Sequence, residues 1–268
     1  MRKLVLLIIL AAFIIGCGGG QRASIDADIV AYHSNNILYR EADVTGYMYN
    51  GFKTIPLVYV NEETLWISQF NYSPFMFNYV GDVPWVNLGS ECKLEVDYGD
   101  GRGEATDTLP TEFLITSPTG GDTLHKGEDL IVNWQTSTGA DWYWLYIDIS
   151  YDYIDTSGGF NYFNFDLDTM VTGTAYTLTS SRIFPGDVDT IFWNSNYVDM
   201  EAISGPQLLP GAEGNIKGDA VGFFWCRYDA QRVWFNIGPL ACESREHNET
   251  EIREKHRKIL QKFAEENQ

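Results

Sequence analysis

Basic residues are scarce in this 268-residue chain: 18 lysines and arginines stand against 37 aspartates and glutamates, a formal charge of −19. So acidic a surface repels phosphate backbones and anionic headgroups, which excludes nucleic acid and an anionic bilayer surface as partners by charge. Histidine is rarer still. Of His33, His125, His247 and His256, two sit in a charged tail, and neither of the others accompanies a recognisable serine elbow. No H-E-x-x-H, G-x-S-x-G or C-x-x-C pattern occurs, so the common zinc-hydrolase, serine-hydrolase and dithiol chemistries have no foothold. The glycine-rich stretch over residues 210–222 also fails as a phosphate loop. Lys217 precedes Gly218, no hydroxyl residue follows the lysine, and the next segment reads as a strand. Carboxylates are plentiful enough for a glycosidase, yet nothing singles out a pair. No cofactor and no metal site is implied.

Long apolar runs are missing too. The longest, residues 4–15, falls short of the roughly 20 residues a spanning helix needs. It follows Arg2 and Lys3 and ends in Gly16 and Cys17, which is the layout of a secretory signal. Within it, Ile14-Ile15-Gly16-Cys17 resembles the lipobox of bacterial lipoproteins, in which a small residue precedes an exposed thiol. The resemblance implies cleavage before Cys17, with residues 1–16 as signal peptide, and acylation of the Cys17 sulfur and amine. Each buried CH₂ contributes about 0.8 kcal/mol, so two or three acyl chains anchor stably where one would not. Gly18 stands where the inner-membrane retention signal of some bacteria places Asp, which implies the outer membrane of a bacterial cell envelope. The competing reading is an ordinary cleaved signal with a cysteine at its end. Residues 17–24 form a glycine-rich tether, and loss of Arg2 and Lys3 leaves the mature chain more acidic still.

What is present in quantity is aromatic: 15% of the residues, beside a charged fraction of 21%. That is ample for a packed core. From Ile25 onward, short β-like runs alternate with turn signals. Residues 55–60 and 65–70 flank Asn61-Glu62-Glu63-Thr64 as a hairpin, and residues 93–98 alternate with period 2 before the glycine-rich turn at 99–103. The stretch Ile115-Thr116-Ser117-Pro118-Thr119-Gly120-Gly121, continuing through Gly127 to Leu130, Val132 and Trp134, resembles the opening of immunoglobulin-like and fibronectin type III-like modules. The resemblance covers residues 113–150 and implies a β-sandwich but no activity. Later strand-like runs fall at 160–167, 174–178, 190–193, 221–228 and 232–237, the last two read as a hairpin across Asp229-Ala230-Gln231. The predicted fold class is all-β: two immunoglobulin-like antiparallel β-sandwich domains in tandem, residues 25–110 and 111–242. A charged α-helix over 243–268 follows, with Ile252, Ile259, Leu260 and Phe263 at helical spacing; it either packs on the β-domain or serves a partner.

Three features are candidate sites. In a strand over residues 142–149, Tyr143, Leu145, Ile147 and Ile149 share one face, and Trp142, Trp144, Tyr146 and Asp148 the other. If the aliphatic face is core, Trp142, Trp144 and Tyr146 make a platform for stacking sugar rings, unless another part of the chain covers them. Acids cluster at Asp97, Asp100, Glu104 and Asp107, and at Asp148, Asp152 and Asp155, but neither carries the ligand spacing of a calcium loop. Beyond Cys17 remain Cys92, Cys226 and Cys242. An odd number leaves one thiol over, and Cys226 with Cys242 is the expected disulfide, all three being buried hydrophobes the alternative. The functional expectation is a non-enzymatic, lipid-anchored envelope protein of adhesion, assembly or scaffolding type. Its partners are the membrane through its acyl chains and an envelope protein or glycan. A carbohydrate-binding module is the first alternative and an envelope hydrolase the second.

Overall fold

Eighteen strands and one short helix make up the computed structural model, which describes residues 22–207 and 209–238. The signal segment, Cys17, Cys242 and the expected helix over 243–268 lie outside the described residues. In chain order the strands are β1 (Ala23–Ser34), β2 (Ile37–Tyr47), β3 (Leu57–Val60), β4 (Glu63–Thr64), β5 (Trp66–Ser73) and β6 (Met76–Asp82). There follow β7 (Glu91–Asp97), β8 (Arg102–Thr108), β9 (Ile115–Ser117), β10 (Thr123–Leu124), β11 (Leu130–Trp134), β12 (Trp142–Asp155) and β13 (Phe160–Val171). The series ends with β14 (Ala175–Leu178), the helix α1 (Ser180–Ile183), β15 (Val188–Ser204), β16 (Lys217–Gly218), β17 (Ala220–Asp229) and β18 (Val233–Ile237). Ala23 and Ser24, expected in the tether, already belong to β1.

These strands form three sheets. The largest has ten strands, running β10-β18-β15-β17-β1-β2-β6-β5, with β12 and β13 continuing from β15. A five-stranded sheet runs β16-β8-β7-β3-β4, and a three-stranded one β14-β11-β9. The expectation of two sandwiches in tandem finds no support in this pairing. β1 lies parallel to β17 from Ala23 beside Ala220 to Tyr32 beside Asp229, so both halves of the chain share the long sheet. Each half contributes its own small covering sheet, the five-stranded one mainly from the first and the three-stranded one from the second. The two sandwiches therefore share a wall.

Local chemistry explains the turns. Asn35 and Asn36 both take positive φ (51° and 64°) and close β1 onto β2. Asn61 and Glu62 do the same (52° and 70°) between β3 and β4, inside the segment 61–64 that the sequence reads wholly as loop, while most of residues 65–70, the expected partner of 55–60, pairs elsewhere. Those are the left-handed conformations a two-residue hairpin demands. The return strand is short, however, and the chain leaves at Leu65 to place β5 in the long sheet. β17 and β18 are not a hairpin. Both pair antiparallel with β15, β17 at Glu201–Ser204 and β18 at Asn196–Val198, so they lie end to end along one edge.

The core sits between the inner face of the long sheet and its two covers. β1 buries Ala23, Ile25, Ala27, Ile29 and Ala31 in strict alternation. β12 buries Leu145, Ile147 and Ile149, and β11 buries Leu130, Val132 and Trp134 as its alternation predicts. Trp134 packs edge-on against Tyr143 at 5.6 Å, and Phe113 touches both Tyr143 and Tyr228, joining the two halves of the core. On the five-stranded side Gly103 lets β8 approach closely; a Cβ there would meet that of Ala220 at 2.7 Å. Tyr151 fills the far end, its hydroxyl donating to Ile183 O at 2.7 Å and its ring stacked on Phe163.

Candidate functional site

Among the described residues no sheet covers the outer face of the long sheet, and its composition differs from the core's. Register sets the rows. Asp148 of β12 lies between Asp166 of β13 and Tyr197 of β15, and Tyr197 pairs with Trp234 of β18. Tyr146 lies between Asp168 and Asp199, Trp144 between Met170 and Glu201, and Asp152 between Tyr162 and Trp193. Alternation thus lines up aromatic rings and carboxylates on one surface.

The half-buried members hold one another. Tyr146 donates its hydroxyl to Asp166 Oδ1 at 3.2 Å, and its ring lies 5.7 Å from that of Tyr197. Burial, then Tyr197 and Asp166, drives the phenol pKa upward, so it stays a proton donor. Asp148 is raised by burial and then by the charge of Asp166, and Ser150 Oγ donates to it at 3.3 Å. Asp168 is raised by burial too, against a hydrogen bond from the Trp144 indole. Arg232 lies 4.0 Å over the Tyr197 ring and reaches Asp199 at 2.6 Å, and Trp234 packs beside Tyr197 at 5.0 Å. Further along the sheet, Arg227 bridges Asp28 at 2.5 Å and Glu201 at 2.9 Å. Burial alone would weaken that guanidinium's hold on its proton, but the two carboxylates outweigh it and raise its pKa.

Of the three predicted platform residues, two lie on this surface and one is covered. Trp144 and Tyr146 are half-buried on the outer face. Trp142 is only 3% exposed, because the chain leaving β15 folds over it and its indole donates to Gly205 O at 3.0 Å. Trp225 is tied down nearby through Pro206 O at 2.7 Å. Rings that reach solvent beside them include three that the sequence reading passed over: Tyr162 (59% exposed), Trp193 (50%) and Trp234 (51%). Their strand runs were visible, but the rows that unite them join strands far apart in sequence.

The other candidates separate. Asp97, Asp100 and Glu104 lie at the β7–β8 turn, where Asp100 pairs with Lys53 at 2.7 Å and Glu95 with Arg102. Asp107 instead points inward, raised by burial and hydrogen-bonded by Ser204 Oγ. Asp155 accepts from Ser157 and Gly159 around its own turn, which lowers its pKa to about 2. Among the described residues no three His, Cys, Asp or Glu side chains are placed to hold a metal ion. Cys226 is buried in β17 as a free thiol beside that of Cys92, and its expected pairing with Cys242 lies outside the described residues.

No family model matches the chain, and no curated protein matches it. Among solved structures it is similar to the fibronectin(III)-like modules of Clostridium thermocellum CbhA, at 11% identity and a TM-score of 0.24, over 84% of this chain and 99% of that one. It is similar also to an I-band fragment of titin, at 10% identity and a TM-score of 0.24, over 81% of this chain and 66% of that one. At such identity and overlap neither likeness gives any residue its role.

Proposed function

We propose that the protein is a non-enzymatic, lipid-anchored module of a bacterial cell envelope that presents the outer face of its long sheet for adhesion or assembly. Anchoring rests on the lipobox resemblance at Cys17. Presentation rests on one observation: three rings, Tyr162, Trp193 and Trp234, stand half or more exposed on a face where carboxylates lie among half-buried rings. A Cys17→Ser variant tests the anchor. The parent is expected in the membrane fraction, with a mass raised by acylation at Cys17, and the variant in the soluble envelope fraction. Retention of the variant with unchanged processing would end the assignment.

The ligand reading that this surface favours is a glycan. Aromatic rings offer flat apolar faces to the C–H groups of a sugar, and Asp148, Asp152 and Asp199 offer acceptors to its hydroxyls. Trp144 and Tyr146 would support the platform rather than form it, and Trp142 would only brace the covering loop. Polysaccharide pull-down tests this with parent, Trp193→Ala and Trp234→Ala. Retention is expected to fall by roughly tenfold in each variant, the share of one stacking contact. Equal retention by all three would remove the sugar reading and leave the anchor untouched.

A further inference from the structure

We infer that Cys92 and Cys226 form a disulfide that fastens the five-stranded sheet to the ten-stranded sheet. The two residues come from opposite walls of the sandwich, Cys92 from β7 and Cys226 from β17, and each is 0% exposed. Three contacts bring them together independently of the thiols themselves. Cys92 is the cross-strand partner of Asp107 on β8. Asp107 accepts a hydrogen bond across the core from Ser204 on β15. Ser204 is in turn the cross-strand partner of Cys226. All four side chains point inward, so the circuit closes on the two sulfurs, which the structure holds as buried, neighbouring free thiols.

Bond formation is an exchange with an external disulfide, either a small molecule such as oxidised glutathione or an oxidoreductase. One cysteine thiolate attacks the external disulfide and displaces a thiol, leaving a mixed disulfide. The second cysteine thiolate then attacks the protein sulfur of that bond and displaces the other thiol. The protein loses two hydrogens and the external disulfide is reduced to two thiols. Burial of both sulfurs keeps external thiols and disulfides out of the closed sandwich, and burial with the neighbouring Cys92 also holds the free Cys226 thiol well above its ordinary pKa, so exchange there is slow. The bond therefore forms while the sheets are coming together and is sheltered afterwards. Cys17 and Cys242 are left for other chemistry, and the pairing of Cys226 with Cys242 expected from sequence is replaced.

The test uses the full-length chain, reduced and unfolded, then refolded in a glutathione redox buffer, alkylated and digested without reduction. A peptide pair joined through Cys92 and Cys226 is expected, both residues escaping alkylation. Heating with and without reductant supplies a second readout. The parent's unfolding midpoint should fall by roughly 10 °C on reduction, because the bond closes a loop of more than a hundred residues. Midpoints of Cys92→Ala and Cys226→Ala should not respond to reductant, and the peptide map of the parent stands even if either variant folds poorly. Alkylation of both cysteines in the refolded parent, or a Cys226–Cys242 peptide in place of the expected one, would overturn the proposal.

Discussion

The inner and outer faces of the long sheet are drawn from the same strands, residue by alternate residue, and they obey different rules. Inward, β1 and β12 offer Ile25, Ile29, Leu145 and Ile147, all fully buried, and the two small sheets press on them. Outward, the same strands offer Asp26, Asp28, Tyr146 and Asp148, only half covered and tied sideways to their neighbours. The inner face is stabilised by area removed from water, which is non-directional and tolerant of shape-conserving change. Lateral hydrogen bonds and ion pairs hold the outer face, and those fail when one partner is taken away. A single strand thus carries a stability code on one side and a polar, laterally bonded surface on the other.

That contrast can be broken at several places. The largest effect is expected inside: Leu145→Ala leaves a cavity between β12 and its cover and should cost about 3 kcal/mol in a denaturant titration. Next comes Arg227→Met on the outer face. It leaves Asp28 and Glu201 facing each other with little water, and a loss of about 2 kcal/mol is expected, reduced when Asp28 is replaced by Asn in the same chain. A loss as large as that of Leu145→Ala would erase the distinction between the faces.

The pH dependence sharpens it. Asp26, Asp43 and Asp148 on the outer face, with the inward Asp107, are each held above the ordinary carboxylate range, chiefly by burial. A raised native pKa means that the folded protein binds the proton better than the unfolded chain does. Their contribution is therefore fully present below about pH 4 and is lost as pH climbs through the native values. The melting midpoint should rise as pH falls from 7 toward about 4.5. Below that it should drop, as groups with lowered values such as Asp155 take up protons. Asp148→Asn should raise the midpoint at pH 7 by roughly 2 °C and leave it unchanged at the acid end. The smallest effect belongs to Trp193→Ala, within about 0.5 kcal/mol by the same titration, because half of that ring already lies in water. Its consequence should appear in ligand retention alone.

Much of this was legible from composition and periodicity, and the limits are informative. The alternation of Leu130, Val132 and Trp134 places β11, and that of Leu94 and Val96 places β7, because a two-residue period is a local signal. The all-β class follows from the same signal repeated. The shared wall was not legible. Nothing in the residues of β1 or β17 states that they pair in parallel from opposite ends of the chain, so a chain of two-domain length was divided in two. The outer surface was half legible: Trp144 and Tyr146 of β12 face outward as their alternation predicts, but Trp142 is hidden by a loop that begins at Gly205. Tyr162, Trp193 and Trp234 meet on one face only through the registers of β12, β13, β15 and β18. The 17 residues of β15 also outran the four read as a strand, because its outer positions carry Ser, Asp and Glu as well as rings, and Asn194 and Asn196 interrupt its inner ones.

The parallel seam between β1 and β17 sets an order of events for the molecule. Asp28 and Arg227, clasped across it, stand 199 residues apart in the chain. The strand in the middle of the sheet is the first of the described strands and among the last of them to gain both neighbours. Until then one of its borders is an open ladder of unsatisfied amides flanked by Ile25 and Ile29, a surface prone to pairing with other chains. Closure of that border has to wait for a strand whose Arg227 lies 199 residues beyond Asp28, which ties completion of the sheet to whatever shields the border in the meantime.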